Sequence, residues 1–198
     1  MRIAISQREE SIGASGHTHD CLGQDWYHLL SKHEIKPIPN IDHYRDFDFD
    51  VLILSSGNDS AARLKTETAY YQYALENDLP ILGTCHGAEF LAKIAGASFE
   101  QVEGHKGTEH VVKMDGRNVI VNSYHESAIT SINEDEWEII AKDTDGNIEG
   151  FKHKDRKIWG IMWHPEKQEV PILPEEVDKM LEVQIAFFSQ SLDWMDAI

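Results

Sequence analysis

The sequence predicts an α/β fold on a mixed sheet, because short apolar, β-branched runs alternate with segments of helical periodicity. Two runs, Val51–Leu54 and Pro80–Gly83, are apolar almost throughout, as strands covered on both faces are. Beyond Gly96 the pattern changes to shorter strand-like runs set off by turn dipeptides, which suits antiparallel pairing.

In chain order, Arg2–Ser6 reads as the first strand. Cys21–His33 reads as the first helix, with Leu22, Trp26, Leu29 and Leu30 at helical spacing. Lys36–Pro39 is a short candidate strand, and Val51–Leu54 is a buried one. Helical patterning covers about Lys65–Glu76, then Pro80–Gly83 leads directly into Thr84-Cys85-His86-Gly87. The next helix runs through Ala95 and stops at Gly96, a residue suited to a left-handed C-terminal cap. Val111–Met114, Asp115-Gly116 and Asn118–Asn122 make a hairpin with a favourable turn. Trp137–Lys142, Ile148–Lys152 and Ile158–Met162 follow as strands, and a helix from about Glu175 to Trp194 closes the chain. With no repeat, linker or low-complexity tract, residues 1–198 are expected to form a single domain.

Composition narrows the function. A net charge of −17 disfavours nonspecific nucleic-acid binding, which depends on Lys and Arg neutralising phosphates, and docking to anionic membranes. Two cysteines are too few for a disulfide framework, and the opening Met1–Ser6 has no long apolar signal segment. No stretch is apolar for long enough to span a bilayer, so a cytoplasmic protein is expected.

The chemistry concentrates at two places. Gly83-Thr84-Cys85-His86-Gly87 lies between a predicted strand and a predicted helix, the setting of a nucleophile elbow. Such a turn exposes the sulfur, its helix start favours the thiolate, and the backbone N–H of His86 faces a developing oxyanion. An isolated cysteine is otherwise a small buried hydrophobe. The second place is Ile161-Met162-Trp163-His164-Pro165-Glu166, at the exit of a late strand. There His164 can serve as base and Glu166 as its orienter, the logic of a Ser-His-Asp triad with a different nucleophile.

With these two segments the chain resembles the class I glutamine amidotransferases, which include the γ-glutamyl hydrolases, over Arg2 to Glu166. The resemblance implies a flavodoxin-like, mostly parallel central sheet with flanking helices and a small antiparallel β extension. It implies Cys85, His164 and Glu166 as catalytic residues. Ser55-Ser56-Gly57-Asn58-Asp59, by itself only a polar turn, matches the family's oxyanion loop, with Gly57 N–H as the second donor beside His86. Asn122-Ser123-Tyr124-His125 matches the segment whose backbone holds the glutamate end of the substrate. Glu89 departs from the family, which usually has Gln there. A carboxylate at that place suits an α-ammonium group, and a solvated helix position is the alternative. The implied chemistry is hydrolysis of a γ-glutamyl thioester on Cys85, with no metal or organic cofactor required.

Three functions remain open on this basis: a free-standing hydrolase of a γ-glutamyl conjugate, a glutaminase subunit feeding ammonia to a synthetase, and a non-catalytic relative. The segment from Arg8 through Gly13–Asp20, with His17 and His19, and Gly104-His105-Lys106-Gly107 are the candidate cationic loops around the crevice; surface loops without a role in the site are the alternative. If they line it, the leaving group is larger than ammonia and carries phosphate. The pattern from Ser6-Gln7-Arg8 through Gln24-Asp25-Trp26 to Pro39-Asn40 is similar to small stand-alone hydrolases, some of which cleave γ-glutamyl-CDP-amidate in capsule phosphoramidate synthesis.

Overall fold

A computed structural model of the chain describes residues 1–12, 16–42 and 44–183. Among these, eleven strands form one sheet around which the helices pack. The parallel half follows the order β4 (Glu34–Ile38), β1 (Arg2–Ser6), β5 (Val51–Leu54), β6 (Ile81–Thr84), β13 (Ile158–Ile161). From β13 the sheet continues antiparallel through β12 (Ile148–His153), β11 (Trp137–Asp143), β8 (Lys106–Met114) and β9 (Arg117–Tyr124). Two further strands, β7 (Ser98–Gln101) and β10 (Ser127–Ser131), pair with each other, and β10 also pairs with β12. This is the mixed α/β fold with a central parallel sheet that the sequence predicts.

The period-2 alternation of the strands supplies two cores. In β1 and β5, Ala4, Leu52 and Leu54 point to the face covered by α2 (Ala61–Glu76) and α3 (His86–Ile94). Ile3, Ile5, Val51 and Ile53 point to the other face, against Trp26 and Leu30 of the α1 region and Val177 and Leu181 of α4 (Glu175–Leu181). Helices on both faces explain why β5 and β6 are buried at every position.

Several boundaries differ from the sequence expectation. The first helix is only Gln24–Leu29 (α1), because Cys21 ends a strand and Gly23 is extended at the N-cap. Residues 8–21 hold a two-stranded hairpin, β2 (Arg8–Ile12) with β3 (His17–Cys21), in place of the expected polar loop; residues 13–15 lie outside the described ones. Asp20 anchors it by accepting hydrogen bonds from Asn40 N (2.9 Å) and Nδ2 (2.7 Å). The Asp115-Gly116 turn forms as expected, both residues at positive φ (52° and 75°). The helix from Glu175 ends at Leu181, with Glu182 left-handed at its C-cap (φ 47°), and residues 184–194 of the expected helix lie outside the described residues. No described helix is long and apolar enough to cross a membrane.

One buried polar network ties the parallel strands together at their carboxyl ends. Arg63 and Glu67, one helical turn apart on α2, have wholly buried side chains and pair at 2.9 Å. Glu67 also accepts from Ser6 Oγ (2.8 Å) at the end of β1 and from the His86 ring (3.1 Å) at the start of α3. Arg63 donates to the carbonyls of Ser55 (2.6 Å), Ser56 (3.3 Å) and Asn58 (3.3 Å), pinning the turn after β5. Removing one partner strands the other charge in the interior. Arg63→Ala should therefore lower the unfolding free energy by about 3–5 kcal/mol in urea titration. A loss under about 1 kcal/mol, the scale of an exposed pair, would contradict the network's role.

Candidate active site

β1, β5, β6 and β13 are neighbours in the parallel sheet, and Arg8, Gly57, Cys85 and His164 lie just beyond their carboxyl ends. β6 passes into α3 without a loop. Cys85 is the junction, held at φ 49° and ψ −106°, a conformation that non-glycine residues avoid. The glycines on either side permit it. A Cβ on Gly83 would lie 2.5 Å from the carbonyl oxygen of Gly87, and one on Gly87 would collide with the carbonyl of Leu54 in β5. The elbow is also hydrogen-bonded to the neighbouring strand, Cys85 N to Ile161 O at 2.8 Å.

That same strand delivers His164. Its backbone is clamped by the Asn122 side chain, which donates to His164 O and accepts from His164 N, both at 2.8 Å. The ring Nδ1–H donates to Glu166 Oε1 at 2.9 Å, which leaves the lone pair of a neutral imidazole on Nε2. Nε2 is buried with no hydrogen-bond partner among the described residues. Tyr124 packs edge-on to the His164 ring (5.1 Å between centroids), and the Lys167 ammonium lies 4.4 Å from the Tyr124 ring centre.

Electrostatics at the sulfur run against the expected thiolate. Burial pushes the Cys85 thiol up to about 12, and the carboxylates of Glu89 and Glu166 add to this. The His86 backbone N–H and Lys167 act in the opposite direction but are outweighed. Glu89, itself half-buried on α3, has its carboxyl raised above the usual range by burial. The α3 start does favour the thiolate as expected, yet desolvation of a neutral-to-anionic change costs more.

The other sequence-selected residues divide. Gly57 lies in the turn pinned by Arg63, at φ 138°, where a Cβ would meet Arg63 and Arg8 at 2.5 Å. Arg8 pairs with Glu10 and shares a small cleft with Ser55, Ser56, Glu166 and Lys167. Asn122 and Tyr124 contact His164, although the contact made by Asn122 uses its side chain. Ser123 is turned away, its hydroxyl on the carbonyl of His105, and His125 faces Glu149. His17 and His19 are exposed on β3, and Lys106 is held at the surface by Glu126 (3.0 Å). Lys167, unnoticed in the sequence, is the cation whose charge favours the Cys85 thiolate; its position directly after Glu166 is the available signal. A groove of about 540 Å³ opens beside it, lined by Thr108, Glu109, Asn122, Tyr124, Lys167 and Gln168 among others.

Comparison with known proteins gives the family of the chain. The model of the family "Glutamine amidotransferase class-I" matches residues 21–180. The chain belongs to the class I glutamine amidotransferase family. The chain is 34% identical over 186 residues to γ-glutamyl-CDP-amidate hydrolase of Campylobacter jejuni, covering 85% of this chain and 91% of that protein. It is 28% identical over 144 residues to anthranilate synthase component 2 of Thermococcus kodakarensis, covering 67% of this chain and 74% of that protein. A solved glutamine amidotransferase of Thermotoga maritima shares the fold at a TM-score of 0.64 and 17% identity, covering 83% of this chain and 76% of that one. Family membership and the first of these relatives support hydrolase activity.

The raised thiol has a direct consequence for the free protein. Alkylation of Cys85 by iodoacetamide should be slow at neutral pH and rise about tenfold per pH unit up to about pH 10, as the thiolate fraction grows below the midpoint. Glu89→Gln removes a neighbouring negative charge and should speed the reaction at a fixed pH. A plateau below about pH 8, located by mass spectrometry of the Cys85 peptide, would overturn this electrostatic picture.

Proposed function

We propose that the protein hydrolyses a γ-glutamyl amide through a thioester on Cys85. The observation that carries this reading is a strained cysteine elbow together with a histidine, just past the adjoining strand, whose Nδ1 is held by Glu166 and whose Nε2 is left free. His164 Nε2 takes the thiol proton as the sulfur attacks the γ-carbonyl carbon. The carbonyl oxygen becomes an oxyanion, received by the backbone N–H groups of His86 and Gly57. Collapse breaks the C–N bond, and the imidazolium returns its proton to the departing amine. His164 then activates water, which cleaves the thioester to glutamate and free Cys85.

Glu89 acquires a role in this scheme. Its charge opposes thiolate formation in the free protein. A substrate α-ammonium group paired with Glu89 would cancel that opposition, so the nucleophile is activated when the correct ligand is bound. Deprotonation of Cys85 is then coupled to recognition of the glutamyl end.

The substrate we infer is a nucleotide-linked conjugate such as γ-glutamyl-CDP-amidate. Similarity to the Campylobacter jejuni hydrolase supports it. So does the groove beside Tyr124 and Lys167, which offers an aromatic face and a cation within a volume suited to such a leaving group. On this reading the chain is a single cytoplasmic hydrolase domain needing no synthetase, and capsule phosphoramidate synthesis is the setting it implies. Similarity to component 2 of anthranilate synthase favours the second reading, a glutaminase that passes ammonia to a synthetase partner.

Cys85→Ala should abolish turnover with the circular dichroism spectrum unchanged, while Cys21→Ala, on the polar hairpin, should stay active. His164→Asn should cost on the order of a hundredfold or more in rate, and Glu166→Gln less. A larger loss at Glu166 than at His164 would reverse the assigned roles. For the substrate, kcat/KM for the nucleotide-linked amide should exceed that for glutamine by at least about a hundredfold, roughly 2.7 kcal/mol of transition-state binding. Lys167→Met should shrink that ratio. A preference of the isolated protein for glutamine, or activity only with an added synthetase, favours the second reading instead.

A further inference from the structure

On the antiparallel side of the sheet, four side chains that the proposed hydrolysis does not use converge in the interior. His105 precedes β8, His110 lies within it, His125 follows β9, and Glu149 is on β12. His105, His125 and Glu149 are buried and His110 is largely so. One nitrogen or oxygen from each lies within 4.8 Å of all the others. The contacts to Glu149 are 3.4 Å from His110 Nε2, 3.5 Å from His125 Nε2 and 3.8 Å from His105 Nδ1. Both Glu149 oxygens and these three nitrogens are buried without a hydrogen-bond partner among the described residues.

With neutral imidazoles this arrangement sets acceptors against acceptors, which only a proton or a bound cation between them relieves. His125 Nδ1 faces the carbonyl of Ser127 at 2.9 Å, an acceptor, so that nitrogen carries the hydrogen. In the neutral ring the Nε2 lone pair then points at a carboxylate oxygen, and two acceptors meet. His105 repeats the pattern: Nε2 faces Asp143 Oδ2 at 3.6 Å, leaving Nδ1 toward Glu149. A carboxylate and a carbonyl behind two ligating imidazoles are the outer partners that metal-bound histidines use. Tetrahedral bonds of about 2.0–2.2 Å place donors roughly 3.3–3.6 Å apart, close to the contacts to Glu149.

We infer that His105, His110, His125 and Glu149 form a binding site for one divalent transition-metal ion of the zinc class. Three imidazoles and one carboxylate suit zinc, cobalt or nickel, and not magnesium or calcium, which take all-oxygen shells. This departs from the sequence expectation of no metal. The site is buried, so its role is to brace structure. It would fasten β8, the end of β9 and β12 at one point. Asn122 and Tyr124, which hold His164, immediately precede His125, and the Glu149 carbonyl accepts from Met162 N (2.8 Å) just before His164. The clamp would thus set the position of the strand that carries the candidate base.

The test is metal content of the untagged, full-length protein by mass spectrometry, after growth with added zinc. Roughly one equivalent of zinc per chain is expected, as for a closed structural site. His110→Ala and Glu149→Gln should each lower it at least about tenfold, and the double variant of the exposed His17 and His19 to Ala should retain it. Chelator-treated wild type should regain thermal stability and show tetrahedral visible absorption on titration with cobalt(II) alone, which keeps the test valid if a variant misfolds. Under about one-tenth of an equivalent, with no melting shift and no cobalt spectrum, would mean that the cluster is held by protons only. Equal metal in Glu149→Gln and wild type would also overturn the site.

Discussion

The buried Arg63–Glu67 pair is the interaction on which the geometry of the candidate site rests. Burial alone would raise the Glu67 carboxyl, yet contacts with His86, Arg63 and Ser6 hold it below the usual carboxylate range. The pair is therefore charged and fully employed. Glu67 joins the end of β1 to the first residue of α3, and Arg63 gathers three carbonyl-bearing positions of the turn after β5. The two proposed oxyanion donors, Gly57 and His86, thereby depend on one helix that contributes nothing to the chemistry itself. Preorganised donors are effective because they need no rearrangement as charge develops, and a buried ion pair is a rigid way to hold them. Its desolvation cost explains why such a pair is better understood as positioning than as a source of stability.

A second constraint acts on the nucleophile. Close approach of β5, β6 and α3 leaves no room for side chains at Gly83 or Gly87, so the chain passes through Cys85 with its φ positive. The strain is offset by the hydrogen bond to Ile161 and by the packed helix that follows. The sulfur that results is aimed but poorly ionised. Aim and charge are separable properties in this site: backbone geometry supplies the first, and neighbouring charges govern the second.

The sequence discloses what depends on short-range pattern. The apolar runs of β5 and β6, the helix after Cys85 and the Asp115-Gly116 turn are each written within a few residues, and each forms as expected. The cysteine elbow and His164–Glu166 are legible for the same reason. The β2–β3 hairpin escapes such a reading because Arg-Glu-Glu-Ser-Ile and His-Thr-His-Asp-Cys carry no apolar alternation. Its register comes from backbone pairing and the distant Asn40 anchor. The expected first helix is too long because Leu22, Trp26, Leu29 and Leu30 keep helical spacing across a glycine at which the helix begins. Arg63, Glu67 and the four metal-site candidates do not stand out as a set, since their meaning lies in partners brought from other strands. Local density of polar residues favours His17 and His19 over Lys167, whereas an electrostatic effect on the sulfur depends on tertiary packing.

The antiparallel extension then takes on a function that a flavodoxin-like core alone would lack. In the parallel half, the strand ends meet at Cys85, but His164 leaves β13 toward the extension, where Asn122 and Tyr124 receive it. Asn122 occupies both polar groups of the His164 backbone, so the imidazole is fixed at its root as well as at its Nδ1. β9 can do this only if its own end is held. The ladder with β8 and Ser123, packed inward on the His105 carbonyl, hold it, and His125 follows against Glu149 of β12. Residues 122–125 therefore alternate in direction: Asn122 and Tyr124 serve the candidate base, while Ser123 and His125 turn to the His105 and Glu149 side. The two-residue period of a β-strand makes that division possible, because adjacent side chains leave on opposite faces.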